Sequence, residues 1–321
     1  MAASSGGVKS VASRTGVRHR AAVLPAALES DLSEVPAVDE RRGVRHGIAI
    51  LIGSSLLFAV MAVCVRIAAR ELPALQIAWV RFTGSFLVLY GLARGRRLRP
   101  QPGNLSRVLL RGLLGASAIV CYFVAIERIG AGLATLLHCM YPIPTAAIAV
   151  LVLGEPASWR LAGAIALNLV GLVLVVGPEA ATGTAGLHGL GIALTGAMLA
   201  GGAVATARHL RASEDASLIT VYFMAVGALL TAPALLMGMP VLSAVGVAAL
   251  VGVILTSAGG QWLLHHGLGF TSASLGSLTC ATGVFTAAGL EALLLGEHLP
   301  VQSLVGALLM SVAVGFAASR G

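Results

Sequence analysis

The sequence predicts an all-α integral membrane protein: ten transmembrane helices arranged as two inverted five-helix repeats. Three observations lead there. The 321 residues are 57% hydrophobic and only 11% charged, with mean hydropathy +0.93. A soluble domain carries about a quarter charged residues, so this chain cannot cover a water-facing surface and must dissolve in lipid. Apolar runs of membrane-crossing length follow one another from residue 47 onward. The chain also matches itself when it is shifted by 142 residues.

The elements follow in order. Residues 1–46 hold Ser, Gly, Arg and Ala, then ESDLSEVPAVDERRGVRH, with no apolar core of a signal peptide. They are expected to form a disordered cytoplasmic tail. The predicted spans are 47–69, 75–94, 107–126, 131–153 and 159–177, then 188–207, 217–237, 243–265, 273–295 and 301–319. Each is long enough to cross roughly 30 Å of hydrocarbon at about 1.5 Å per residue. Backbone groups in lipid must be satisfied within a segment, so these runs are helices. The alternation of a β-barrel strand is absent.

Charge sets the orientation. The formal net charge of +8 would suggest nucleic acid in a soluble chain, but here the arginines cluster between apolar spans and no basic–aromatic stripe exists. Nucleic acid is therefore excluded as a partner. On the side of the amino terminus lie Arg41, Arg42, Arg45, Arg94, Arg96, Arg97, Arg99, Arg107, Arg111, Arg160, Arg208, Arg211 and Arg320. The other side has Arg70 and Arg128, with Arg66 near a helix end. This positive-inside bias predicts a multi-pass protein of the inner (plasma) membrane with both termini cytoplasmic.

The repeat explains the count. HGIAI (46–50) falls on HGLGI (188–192), Arg66 on Arg208, Ala74 on Ala216 and Ile77 on Ile219. LVLGE (151–155) falls on LLLGE (293–297) without a gap. The units are residues 47–177 and 188–319. Five spans per unit is odd, so the second unit crosses in the opposite sense. Inverted repeats are the sequence sign of alternating access.

Two copies of one pattern run from YFVAIERIGAG through LVLGEPASW (from residue 122) and from HHGLGFTSASLGSLTC through LLLGEHLPVQSLVG (from residue 265). Each has a short turn of small residues, an apolar span, Gly-Glu and a glycine-spaced last helix. In this the chain resembles the drug/metabolite transporter superfamily, specifically its EamA-type members, over residues 47–319. Arg81 matches an arginine often found in the family's second helix. Val284 stands at the repeat position of Pro142, a departure from symmetry. The resemblance implies a secondary carrier, commonly an exporter of amino acids or other small metabolites, with a central cavity between the halves.

The polar residues within spans are the candidate site. In LLHCMYPIPT (136–145), His138, Tyr141 and Thr145 fall on one helix face. Pro142 and Pro144 remove donors from the carbonyls of His138 and Met140, so a helix break that needs new partners is expected there. A packing kink and a cavity wall are the two readings. Tyr122, Ser257, Gln261, Thr279 and Thr282 lie at comparable depth in other spans, and each also reads as helix glue. Arg81 and Glu291 are the ionisable residues at similar depth near the outer end, about 9 and 6 Å inside it. An outer gate, a substrate-carboxylate clamp and snorkelling compete for them. Glu155 and Glu297 follow helix-ending glycines and read first as helix caps, second as coupling groups. His265 and His266 read as an interfacial pair, Trp79 and Trp262 as interfacial anchors.

Cys64, Cys121, Cys139 and Cys280 lie in apolar runs without metal-ligand spacing. No metal or other cofactor is expected. No nucleophile–base set marks an enzyme, and no Walker motif marks an ATP-driven pump. The expected partners are a small-molecule substrate and the lipid bilayer, and the sequence leaves a homodimer open. The function expected is secondary transport of a small polar metabolite. A membrane channel or a structural membrane protein without carrier activity is the alternative.

Overall fold

The structure is a computed structural model that describes residues 37–95, 98–129, 134, 137–176, 187–281, 283, 293 and 301–318. The chain divides into Met1–Glu40 and a compact unit, Arg41–Gly321, which holds all the helix packing described below. The described residues form ten α-helices and no strand: α1 Ala37–Ala68, α2 Ala74–Leu92, α3 Leu105–Ile129, α4 Pro142–Leu153, α5 Trp159–Val176, α6 Leu187–Leu210, α7 Ala216–Thr231, α8 Ala244–Gly267, α9 Ala273–Ala281 and α10 Val301–Ala318. Stretches of six of them are long and apolar enough to cross a membrane: Gly43–Ala68, Ala74–Leu92, Leu105–Ala125, His188–Leu210, Ala216–Met237 and Ala244–Gly267. Pro142–Leu153, Trp159–Leu174 and Leu304–Ala317 are shorter apolar helices.

Local chemistry sets the ends. Asp215 caps α7 by accepting the Ser217 N–H at 2.7 Å. Ser243 caps α8 by accepting the Gly246 N–H at 3.1 Å. Each satisfies one of the free donors of a first turn. Gly154 closes α4 with φ +71°, a left-handed cap that glycine adopts without strain. Past Thr231, α7 tightens into a 3₁₀ turn, Ala232–Met237, with Pro233 in its first turn.

The helices meet through small residues. α3 packs on α6 and α7, α4 on α6 and α9, α2 on α7 and α8, and α5 on α10. Along α8, Gly252, Gly260 and Gly267 face Cys64, Phe58 and Leu51 of α1. Close backbone approach of this kind is how helices associate where lipid removes the hydrophobic drive. Larger side chains plug the middle: Phe82 of α2 meets Phe223 of α7 edge to face, with ring centroids 5.4 Å apart. The outward surface is apolar, with Leu87, Leu92, Leu151, Val152, Leu229, Leu236 and Val241 exposed. Lipid, not water, suits such a belt.

Candidate functional site

The break expected in LLHCMYPIPT is present, and its chemistry differs from the expectation. Cys139–Tyr141 form a turn, and Pro142 opens α4 at the first helical position, where a missing N–H costs nothing. The carbonyls deprived by the prolines are satisfied locally. The Tyr141 N–H donates to the His138 carbonyl at 3.2 Å, and the Ile143 N–H donates to the Met140 carbonyl at 3.0 Å. The chain tightens to i+3 bonds, so neither carbonyl waits for a solute. Thr145 is fully buried and its hydroxyl donates to the Tyr141 carbonyl at 2.8 Å, so it ties the turn instead of facing a cavity.

The side chains at the break form an aromatic cluster. The His138 ring lies 4.7 Å from the Tyr122 ring of α3 and 6.2 Å from Tyr141. Tyr141 packs with Phe58 and Cys280 against buried Leu51, Val204, Ala207, Leu264 and Leu268. It therefore points to the centre, between α1, α6 and α8. His138 Nδ1 is buried without a hydrogen-bond partner among the described residues.

Across the bundle, Arg81 is only 6% exposed and its Nε donates to Ser257 Oγ at 2.8 Å. Its guanidinium also lies 5.4 Å from the Phe82 ring centre. Ser257 and Gln261 are buried one turn apart on α8. Thr279 is buried on α9, and its hydroxyl donates to the Leu275 carbonyl at 2.8 Å. Thr282, Glu291 and Glu297 lie outside the described residues.

Glu155 does cap a helix, but a distant one. Its Oε1 accepts the Ala273 N–H at 2.7 Å, and its Oε2 accepts the Ser274 hydroxyl at 2.8 Å. The capped helix is α9, not the next helix in the chain. An anionic oxygen at a helix start meets both free donors and the positive end of the dipole.

A third cluster escaped the sequence reading. Arg111, His265 and Thr220 are all buried, on α3, α8 and α7. Arg111 Nη2 lies 2.9 Å from His265 Nε2, and Thr220 Oγ lies 2.7 Å from His265 Nδ1. The Phe223 ring lies under the guanidinium, 4.6 Å from its carbon. His265 is thus no interfacial residue, whereas His266 stacks on Trp262 at 5.1 Å. The overlooked signal is depth: Arg111 stands six residues into α3, about 9 Å past its start.

Two loop carboxylates tie helix starts. Glu71 accepts the Ser243 N–H at 2.8 Å and the Ser243 hydroxyl. Those bonds, the hydroxyl first, hold the Glu71 carboxyl below its ordinary range. Glu214 accepts the Gln101 N–H at 2.7 Å and the Asn104 amide at 2.8 Å.

The chain is similar to known membrane transporters. Residues 45–177 match the EamA-like transporter family. The chain is 28% identical over 279 residues to the pseudopaline exporter CntI of Pseudomonas aeruginosa, covering 84% of this chain and 95% of that protein. It is 25% identical over 142 residues to an uncharacterized transporter of Helicobacter pylori, 43% of this chain and 48% of the other. One crystal structure shares the fold with TM-score 0.71 at 18% identity, covering 85% of this chain and 96% of its own. With its apolar helices, the chain is a multi-pass membrane protein of the transporter type, and residues 45–177 belong to the EamA-like transporter family, within the drug/metabolite transporter superfamily that the sequence resembles.

Proposed function

We propose that this chain is a secondary exporter that moves a small polar metabolite, such as an amino acid, by alternating access across the inner membrane, with both termini cytoplasmic. Residues 47–177 and 188–319 are its two inverted units. The observation that carries this reading is the pattern of helix neighbours. Exchange α1–α5 with α6–α10, and the α2–α8 pair becomes α7–α3, while α2–α7, α4–α9 and α5–α10 map onto themselves. The α3–α6 pair becomes α8–α1, and α4–α6 becomes α9–α1, pairs made by Gly267 and by Gly276 against Leu51.

Two groups follow: α1, α2, α8 and α9 on one side, α6, α7, α3 and α4 on the other. Each draws helices from both units, and rocking one group on the other opens the seam to alternate faces. His138, Tyr141 and Tyr122 belong to one group. Ser257, Gln261, Thr279 and Thr282 belong to the other. A solute between them would meet polar groups from both. Arg81, held by Ser257, offers a cation to a solute carboxylate, for which Glu291 competes.

Counterflow in proteoliposomes tests the reading. Pseudopaline, the solute named for the P. aeruginosa relative, comes first, then single amino acids. Internal unlabelled solute should accelerate uptake of the labelled one. Flux without trans-stimulation would mean a channel, and no flux of any solute a structural protein. His138→Ala should fold and insert but lose counterflow; undiminished counterflow would remove His138 from the cavity.

A further inference from the structure

His265 lies on the seam between the two helix groups, and its bonds fix its protonation. Arginine can only donate, so His265 Nε2 accepts from Arg111. The Thr220 hydroxyl gives its own proton to the Ala216 carbonyl at 2.6 Å. Its oxygen therefore receives the proton of His265 Nδ1. Both ring nitrogens are committed, and the ring is the neutral Nδ1–H tautomer. Arg111 and Thr220 stand on α3 and α7, His265 on α8, so these bonds bridge the two groups. Trp262 adds a bridge one turn away, donating to Ser217 Oγ at 3.1 Å. By the positive-inside reading, this end is cytoplasmic.

We propose that His265 is the proton-binding group that couples transport to a proton gradient, by opening the cytoplasmic gate when its Nε2 takes up a proton. The proposal rests on the alternating-access reading. A proton on Nε2 sets N–H against N–H and a second positive charge against Arg111. The Arg111–His265 bond must break, and with it the bridge between α3 and α8. The charged groups acting on His265 are Arg111 and Arg211; His46 and Asp215 act on its neighbour His266. The Phe223 ring faces it from α7. Arg111 and Arg211 are both cations, so each opposes an imidazolium in the closed gate. Once the gate opens, water reaches the ring and the proton leaves to the cytoplasm. The gate recloses only on neutral His265. A proton taken from the outward-facing cavity and released inside is thus exchanged for a solute carried out.

The test needs no solute. In the full chain with its four cysteines replaced by alanine, spin labels at Arg45→Cys (α1) and Ser106→Cys (α3) report the separation of the two groups at this end. Both positions are exposed. In nanodiscs, electron–electron double resonance should give a short distance at about pH 8 and a longer population that grows on acidification, as the imidazole takes up its proton. His265→Gln places a non-titrating acceptor against Arg111 and should stay short throughout. Arg111→Gln removes the opposing charge and should abolish the pH step as well. His266→Gln should leave the step intact. A wild-type chain without the step, or a step that survives in His265→Gln or Arg111→Gln, overturns the proposal. Counterflow is measured separately, so failure of the gate and failure of the exporter reading are distinguishable.

Discussion

Glu155 offers the sharpest test of how the segment after α4 is tied to α9. Its carboxylate makes two short bonds to the start of α9, to Ala273 N–H at 2.7 Å and Ser274 Oγ at 2.8 Å, with a longer approach to Ser274 N–H at 3.4 Å. A hydrogen bond to a charged group contributes about 1.5–3 kcal/mol, and loss of a helix cap costs about 0.5–2 kcal/mol. Glu155 is half-buried, so water replaces part of what is lost. Glu155→Ala should therefore cost about 2 kcal/mol. Glu155→Gln should cost about half as much, because its carbonyl still accepts one N–H and its amide can donate to the Ser274 hydroxyl, while the charge is lost and the amide opposes the Ser274 N–H. At roughly 2–4 °C per kcal/mol for a chain of this order, Glu155→Ala should lower the melting midpoint in detergent by about 4–8 °C. Ser274→Ala removes one of the same bonds. The double variant should fall short of the summed effects by about 1 kcal/mol, more than the 0.3–0.5 kcal/mol scatter of independent sites. Additive effects, or an unchanged midpoint in Glu155→Ala, would refute the cap. A transport defect in Glu155→Gln at an unchanged midpoint would assign the carboxylate to coupling instead.

Other expectations follow from the same geometry. Ser257→Val leaves the buried Arg81 Nε without its acceptor, so it should lower stability by about 1–3 kcal/mol, read as the melting midpoint, and reduce counterflow of carboxylate solutes. Glu71 has a lowered folded pKa, so its stabilisation is full above the ordinary carboxylate value near 4.5 and is lost as pH falls through the lowered one. Glu71→Gln should flatten that acid limb of the melting midpoint against pH and leave neutral pH nearly unchanged in shape. Gly171→Ala would set a Cβ 2.6 Å from the Gly306 carbonyl oxygen and 3.1 Å from the Met310 nitrogen. Backbone must move to admit it, so α5 and α10 should separate at a cost of about 1–3 kcal/mol, again read by melting.

What the sequence revealed followed from what each signal depends on. Hydropathy is local, so α1, α2, α3, α6, α7 and α8 stand where the apolar runs put them. Proline chemistry is local too, and the break before Pro142 was legible. Its consequence was not, because Tyr141 and Ile143 N–H groups can satisfy the carbonyls only once the turn has formed. Arg111 was counted with the loop arginines because positive-inside reasoning looks at proximity to a span end. Its burial against Phe223 and His265 is decided by α7 and α8, more than 100 residues away in sequence. Glu155 was legible as a cap, but α9 as its target was not. A carboxylate next to a helix start in sequence and one next to it in space read alike until the helices are packed together.

The polar bonds of this bundle fall into two kinds, and the division gives them different work. One kind joins helices of a single proposed group. Arg81 to Ser257, Ser85 to the Ile254 carbonyl and Ser54 to the Gly260 carbonyl all tie α1 and α2 to α8. Glu71 to Ser243 ties the same helices at one end. Glu214 to Gln101 ties the α6–α7 loop to the segment before α3, in the other group. These last two are counterparts: Ser243 lies 142 residues after Gln101, and Glu71 corresponds to Ser213, the residue before Glu214. The second kind crosses between groups, as Glu155 to Ser274, Arg111 to His265 and Gln76 to the Gly238 carbonyl at 2.6 Å. Lipid gives helices no hydrophobic reason to stay together, so a body that must move as one piece needs bonds of the first kind. Bonds that must break during a cycle need a trigger that acts on them selectively. A carboxylate on a helix start lacks one at neutral pH. An imidazole facing a guanidinium has one in a single proton, which is why the proposed switch is His265 and the proposed frame Glu71 and Glu214.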